Sequence, residues 1–426
     1  MTTHFETLGD PSLGVDGVTL SGGTVLHPDG KLIEMDLHLS EGVVQDKAPS
    51  VARIFDVSGC LVLPGIVDAH GDGFEHHLMP RVGADFPDWI ALRNVDRELV
   101  ANGICTAFLA QSYSWEGGIR GVEAARHMIN SVRALHLAPA SDMRVQIRYE
   151  TFFLDGADQL LAWLEDGTVQ YVVFNDHIPQ YQELMDKPEH IARWASSVGL
   201  SNDEFKALLE KTVKDGVGVL DGIARLSEAM TRLGLPFGSH DDPDPETRQS
   251  YNNVGARIAE FPLTVAAAET ARSLGNSIMM GAPNALRGKS ASANVSAREL
   301  IAQGLCDALV SDYYYPALLH APFALVRDDV TELQTAWGLV SSGPAAALGL
   351  HDRGLLWPGL RGDVVVVQQD QYGRPFVVAT FVEGHPVFLG PSLAASGMSS
   401  AFERGAVDQL LNRSGSLGQQ SVPASQ

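Results

Sequence analysis

Between residues 61 and 312, short apolar runs alternate with stretches of helical periodicity, the pattern that parallel βα units produce. Eight such runs can be read, at 61–70, 104–109, 145–150, 169–177, 236–240, 257–261, 277–282 and 307–312, with helices among them at 91–102, 203–233 and 265–274. Eight strands alternating with helices over this length predict an α/β fold, a (β/α)8 TIM-like barrel. The flanks read differently. Short alternating strands broken by turns appear at 17–26 and 35–39, and again at 361–367 and 376–382 with turns at Gly373 and Gly384. Neither end holds enough strand to close a core, so the two are expected to join in one small β-sandwich domain built from both chain ends. The expected division is 1–60 and 350–392 for that domain, 61–349 for the barrel, and 393–426 for a C-terminal helix near 401–411 with a disordered tail.

A chain of 426 residues that is 45% hydrophobic can bury a large core. No run of eighteen apolar residues occurs, and Met1-Thr-Thr-His-Phe-Glu lacks the basic and apolar regions of a signal peptide, which points to a cytoplasmic protein. Three scattered cysteines, Cys60, Cys105 and Cys306, suit a reducing compartment and exclude a thiolate metal site. A formal charge of -22 argues against nucleic acid or an anionic membrane as partner and leaves a small-molecule substrate. A homo-oligomer is compatible with everything in the sequence.

In a parallel barrel the chemistry sits at the C-terminal ends of the strands, and polar residues collect there. The first run ends in His70-Gly-Asp72, the third in Arg148-Tyr-Glu150, the fourth in Asn175-Asp-His177, the fifth in Ser239-His-Asp-Asp242 and the eighth in Ser311-Asp312. His70 and Asp72, two apart on an extended strand, point to one face. Neutral imidazoles from His70, His177 and His240 are good ligands for zinc, manganese or iron. With Asp72, Glu150 and Asp312 they make a metal set for one or two divalent ions, zinc ahead of manganese or iron. A core role for each histidine is the alternative. None of the seven lysines ends an apolar run, so a bridging lysine is not expected. Glu150 could span two cations instead, or simply pair with Arg148. Asp312 is the candidate general base as well as a ligand, its alternative being a helix cap. Of Asp241 and Asp242, one is expected to touch substrate and the other to cap a helix. Asn284, Arg287 and Lys289 lie in a small-residue segment able to cradle phosphate.

These strand ends resemble the amidohydrolase superfamily, whose barrel opens with a metal-binding His-x-His or His-x-Asp after a Pro-Gly turn, here Leu63-Pro-Gly-Ile-Val-Asp-Ala-His70. Within it the chain resembles the α-D-ribose 1-methylphosphonate 5-triphosphate diphosphatase family. Ser239-His-Asp-Asp242, Ile258-Ala-Glu-Phe-Pro262, Met280-Gly-Ala-Pro-Asn284, Arg287-Gly288 and Ser311-Asp-Tyr-Tyr314 carry the likeness, supported by Asp176-His-Ile-Pro179 and Met79-Pro-Arg81. The resemblance implies release of pyrophosphate by hydrolysis of a phosphoanhydride, with metal ligands among His70, Asp72, Glu150, His177, His240 and Asp312. It adds Glu260 as a further ligand candidate, and Arg81 and Tyr314 as substrate-binding candidates beside Arg148, Asp241, Asp242, Asn284, Arg287 and Lys289. Two segments depart from the family pattern. Gly71 and Gly73 stand where it has Thr and Asn, and Ala291 stands where it has His. C–N hydrolysis, as in amidases and deaminases, would reuse the same metal and base without a phosphate cradle. Convergence of Arg81, Arg148, Arg287 and Lys289 on the metal pocket would favour phosphate.

Overall fold

The computed structural model describes residues 17–391 and 393, apart from 82, 136–139, 186 and 290–293. The helix and tail expected after 393 and most of the 290–294 segment, with Ala291, lie outside the described residues.

Strands β1 (Gly17–Leu26), β2 (Leu32–Ser40), β3 (Val43–Gln45), β4 (Ala52–Asp56) and β5 (Leu61–Pro64) come from the N-terminal flank. The barrel follows, with β6 (Ile66–Gly71), β7 (Ile104–Tyr113), β8 (Asp142–Glu150), β9 (Tyr171–Asn175), β10 (Phe237–His240), β11 (Ile258–Glu260), β12 (Ser277–Gly281) and β13 (Ala308–Val310). The chain then returns through β14 (Val364–Gln369), β15 (Pro375–Val382) and β16 (His385–Leu389).

The flanking strands form one eight-stranded sheet in the order β16-β15-β14-β5-β1-β2-β3, with β4 also pairing β1. Rather than two stacked sheets, a single sheet folds over itself. Phe55 on β4 meets Phe381 on β15 edge-on at 5.6 Å, and Leu20, Leu39, Val62 and Val364 are buried in the fold. The run read as one strand over 61–70 is two strands in two sheets. They part at Gly65, where a Cβ would stand 2.5 Å from Cys105 Sγ, so the chain crosses from β domain to barrel at a point only glycine fits. The helix expected over 203–233 is likewise two, Asn202–Asp215 and Val219–Leu233. Gly218, with φ 107°, separates them.

The eight barrel strands run parallel in the order β6 to β13, and their apolar side chains pack outward against helices such as Asp88–Ala101, Val122–Leu135 and Val219–Leu233. Closure between β13 and β6 is made in three tiers. At the N-terminal end the segment at 339–340 wedges between them, its carbonyls accepting from Leu309 (2.6 Å) and Val67 (2.9 Å). In the middle, buried Asp68 takes the Ser311 hydroxyl at 2.5 Å and the Ser311 N–H at 3.0 Å. At the C-terminal rim the backbones bond directly, Asp312 N–H to His70 O (3.0 Å) and Asp72 N–H to Asp312 O (2.9 Å). Across the opposite end, Arg353 donates to Thr106 Oγ1 (2.8 Å) and Asp142 Oδ2 (2.6 Å), tying the C-terminal flank to β7 and β8.

Candidate metal centre and active-site pocket

Alternation on the inner strands sets the site. Gln146, Arg148 and Glu150 are two apart along β8 and share its interior face, as Asp68 and His70 do on β6. Three residues just past strand ends, Asp241, Phe261 and Asp312, adopt left-handed backbone with φ of 58°, 52° and 55°. Each still bonds the neighbouring strand through its N–H, to Glu260 O, Met279 O and His70 O. The chain thus turns sharply at the rim without losing its ladder. For Phe261, an aromatic residue, this is a rare conformation with a cost of about 1–3 kcal/mol.

One open pocket is lined by His70, Asp72, Arg148, His240, Asp241 and Asp312 together with Phe261, Met280, Asn284, Arg287, Lys289, Asn294 and Tyr313. His70 and His240 stack with ring centroids 5.2 Å apart, and Phe261 packs edge-on against both, at 5.2 and 4.9 Å. One donor atom from each of His70, His240 and Glu260 lies within 4.8 Å of the other two, the one such group among the described residues. Glu260 is fully buried. Its Oε1 accepts from Tyr171 Oη (2.7 Å) and Gln146 Nε2 (2.8 Å). Its Oε2 lies 3.1 Å from His240 Nδ1 and 2.8 Å from His70 Nδ1, the second contact lacking hydrogen-bond alignment. His70 Nε2 is buried without a partner. Such an orphaned imidazole nitrogen, beside a second imidazole and carboxylates, is a donor set that fits a divalent cation.

Arg148 donates to Asp72 Oδ2 and to His240 Nε2, both at 3.2 Å, not to Glu150. The electrostatics follow from burial and these neighbours. Burial foremost, with the Asp72 charge adding, pushes Asp312 up to about 6. Burial lowers His240 despite its acidic neighbours. For Glu260, burial opposes ionisation but His70 and His240 outweigh it, holding the carboxyl well below the usual range.

The sequence-predicted site residues divide. His70, Asp72, Arg148, His240, Asp241, Asn284, Arg287, Lys289 and Asp312 share the pocket. Glu150 and His177 bind one another instead, Glu150 Oε1 to His177 Nδ1, with the His177 N–H on Oε2 at 3.3 Å, and neither is among the described residues lining the pocket. Asp242, expected to touch substrate or cap a helix, is not among the described residues lining the pocket. It is buried in a pair with Arg248, which also holds Ser239 Oγ, Ile258 O and Ala256 O. Nor does Asp241 or Asp242 cap a helix; Asp244 caps Pro245–Asn253. Arg81 is exposed outside the pocket, and exposed Tyr314 gives way to Tyr313 in the lining. Asn284 spends its amide on Val295 O (3.4 Å) and the Ala297 N–H (3.0 Å), anchoring the loop. Sequence reasoning missed Phe261, Tyr313, Asp68 and Ser311. Asp68 carried a signal, two residues before His70 on the same strand face.

Gly71 and Gly73 face Tyr315. A Cβ on Gly71 would stand 2.7 Å from Asp68 Oδ2 and Ser311 Oγ and 2.8 Å from the Tyr315 ring, and one on Gly73 would stand 3.0 Å from that ring. Tyr315 thus fills the space that side chains at these positions would need.

No family model matches the chain. Among solved structures, an amidohydrolase from an environmental sample of the Sargasso sea is 16% identical, with a TM-score of 0.56 over 94% of this chain and 98% of that one. β-Aspartyl dipeptidase from Fervidobacterium islandicum AW-1 is 12% identical, with a TM-score of 0.58 over 88% and 97%. The closed parallel barrel with a β domain built from both chain ends is thus the fold that these hydrolases share with this chain. In sequence, the chain is 29% identical over 354 residues, 80% of this chain and 93% of the other, to the α-D-ribose 1-methylphosphonate 5-triphosphate diphosphatase of Escherichia coli (strain K12).

Proposed function

We propose that the protein hydrolyses a phosphoanhydride in a small phosphorylated sugar, releasing pyrophosphate, as the name of its Escherichia coli relative describes. The observation that carries this reading is the pairing state of the pocket cations. Arg287 and Lys289 line the pocket, and among the described residues neither forms an ion pair. Among the described residues Arg287 reaches the Tyr313 hydroxyl, at 3.4 Å. In a chain of charge -22, unpaired cations beside a candidate metal centre suit a polyanionic ligand.

His70 and His240, with Asp72 and Asp312 beside them and Glu260 beneath, would hold a divalent cation, zinc first, with manganese or iron as the other expectations. A bound divalent cation supplies Lewis acidity and lowers the pKa of a water molecule at the centre. The Asp312 carboxylate would accept the proton given up by the attacking water. Arg148 offers a fixed positive charge on the metal side, Arg287 and Lys289 grip the far end of the phosphate chain, and Phe261 and Met280 keep the wall dry. The three cysteines are free and buried, which suits a cytoplasmic setting.

The test is a hydrolysis screen of the metal-supplemented protein with ribose triphosphate analogues and nucleoside triphosphates beside cyclic amides and N-acyl amino acids. Pyrophosphate release is expected. Turnover of amides alone would replace this reading with C–N hydrolysis.

A further inference from the structure

The closeness of His70, His240 and Glu260 admits two assignments: three ligands around one ion, or two ligand histidines over a carboxylate that orients them. We propose the second. Glu260 is a positioning residue that keeps the proton of both imidazoles on Nδ1 and both Nε2 lone pairs on the pocket side, that of His240 being held by Arg148 until a cation displaces it, an inference that rests on the metal reading above.

Four observations carry it. First, Oε1 of Glu260 already accepts from Tyr171 and Gln146, so the carboxylate is held from below. Second, Oε2 lies 2.8 and 3.1 Å from the two Nδ1 atoms. Both are hydrogen-bond separations, the one at His240 aligned as a hydrogen bond and the one at His70 in reach but not aligned. Donors around one tetrahedral zinc, each about 2.1 Å from it, stand about 3.4 Å apart. Third, His70 and His240 line the pocket whereas Glu260 is not among its described lining residues and is fully buried. Fourth, the tautomer of His240 is fixed by Arg148. A guanidinium can only donate, and it stands 3.2 Å from His240 Nε2. That nitrogen therefore carries the lone pair, which leaves the proton on Nδ1 facing Glu260. On His70 the corresponding Nε2 is buried with no partner. One carboxylate thus sets two imidazoles, where metal-site histidines commonly have one orienting partner each.

The consequence is that the metal-free protein is already organised, and this can be read without turnover. In ¹⁵N-histidine-labelled, metal-free protein, the nitrogen shifts of His70 and His240, assigned with His70→Asn and His240→Asn variants, are expected to show Nδ1 protonated and Nε2 bare on both rings. On loading with ¹¹³Cd, scalar coupling is expected at both Nε2 atoms. In Glu260→Gln the single-tautomer pattern should be lost and cadmium affinity should fall about 10–100-fold. Tyr171→Phe, which leaves Oε2 untouched, should retain the pattern. A proton on either Nε2 in the wild type, or cadmium coupling at either Nδ1, overturns the role of Glu260. Failure to bind cadmium with both protons on Nδ1 overturns the metal reading and leaves that role standing.

Discussion

Asp241, Phe261 and Asp312 hold left-handed backbone at the rim, and such conformations persist only where the surroundings over-determine them. For Asp312 the surroundings are the seam bonds to His70 and Asp72, which place its carboxyl in the pocket beside the imidazole of His70. As the proposed base it should be intolerant of amide substitution. Asp312→Asn is expected to lower kcat by about 10²–10⁴, measured at saturating metal; retained turnover would remove it from the chemistry. Arg287→Gln should weaken inhibition by inorganic pyrophosphate about tenfold, the worth of one charge-assisted hydrogen bond of about 1.5 kcal/mol, with little change in melting temperature because Arg287 is exposed. Gly71→Ala tests the opposite kind of residue. Its Cβ would press on Asp68, Ser311 and Tyr315, so a loss of about 1–3 kcal/mol in urea unfolding is expected; an unchanged midpoint would show that Tyr315 yields freely.

At the scale of elements, the barrel strands were legible because both-face burial writes them as apolar runs, and His70, Asp72, His240 and Asp312 were legible as polar residues ending those runs. What the sequence concealed has physical causes. The break at Gly65 falls on a Pro-Gly pair, but it was hidden because the residues on both sides, in β5 and β6, are apolar and buried and so read as one run. The partners of Glu150 and of Asp242 were hidden because His177 and Arg248 reach them through the fold, across 27 and 6 positions. Tyr313 and Tyr314 are adjacent tyrosines that only the turn after β13 tells apart. The N-terminal end of β8 carries a prediction of its own. Burial works against ionising Asp142, but Arg144 and Arg353 outweigh it and lower its pKa. A carboxyl lowered on folding stabilises above its unfolded pKa of about 3.9, and that contribution is lost as pH falls through the folded value. Asp142→Asn should therefore cost about 1–3 kcal/mol at pH 7, the worth of a partly buried charged hydrogen bond whose arginine partner keeps Asp352 and Thr106, and the gap to wild type in urea midpoints should narrow below about pH 4. A gap constant from pH 7 to pH 3 would contradict this.

For the molecule as a whole, binding at the centre is expected to add to global stability by mass action. At free metal about 100 times Kd the gain is about 2.7 kcal/mol, so removal with a chelator should lower the melting temperature by several degrees, and stoichiometric zinc should restore it. An unchanged melting curve would detach metal from the native state. The three-tiered seam between β13 and β6 gives this a further meaning. In its upper tier, the backbone bonds that shut the ring belong to His70, Asp72 and Asp312 themselves. A partly zipped ring would leave these groups on two staves that have not met, so the chain cannot assemble its chemistry before it is circular. The candidate ligand set is then a latch that engages only on a finished barrel, and affinity for metal during refolding is expected to be a clock for the last closing step.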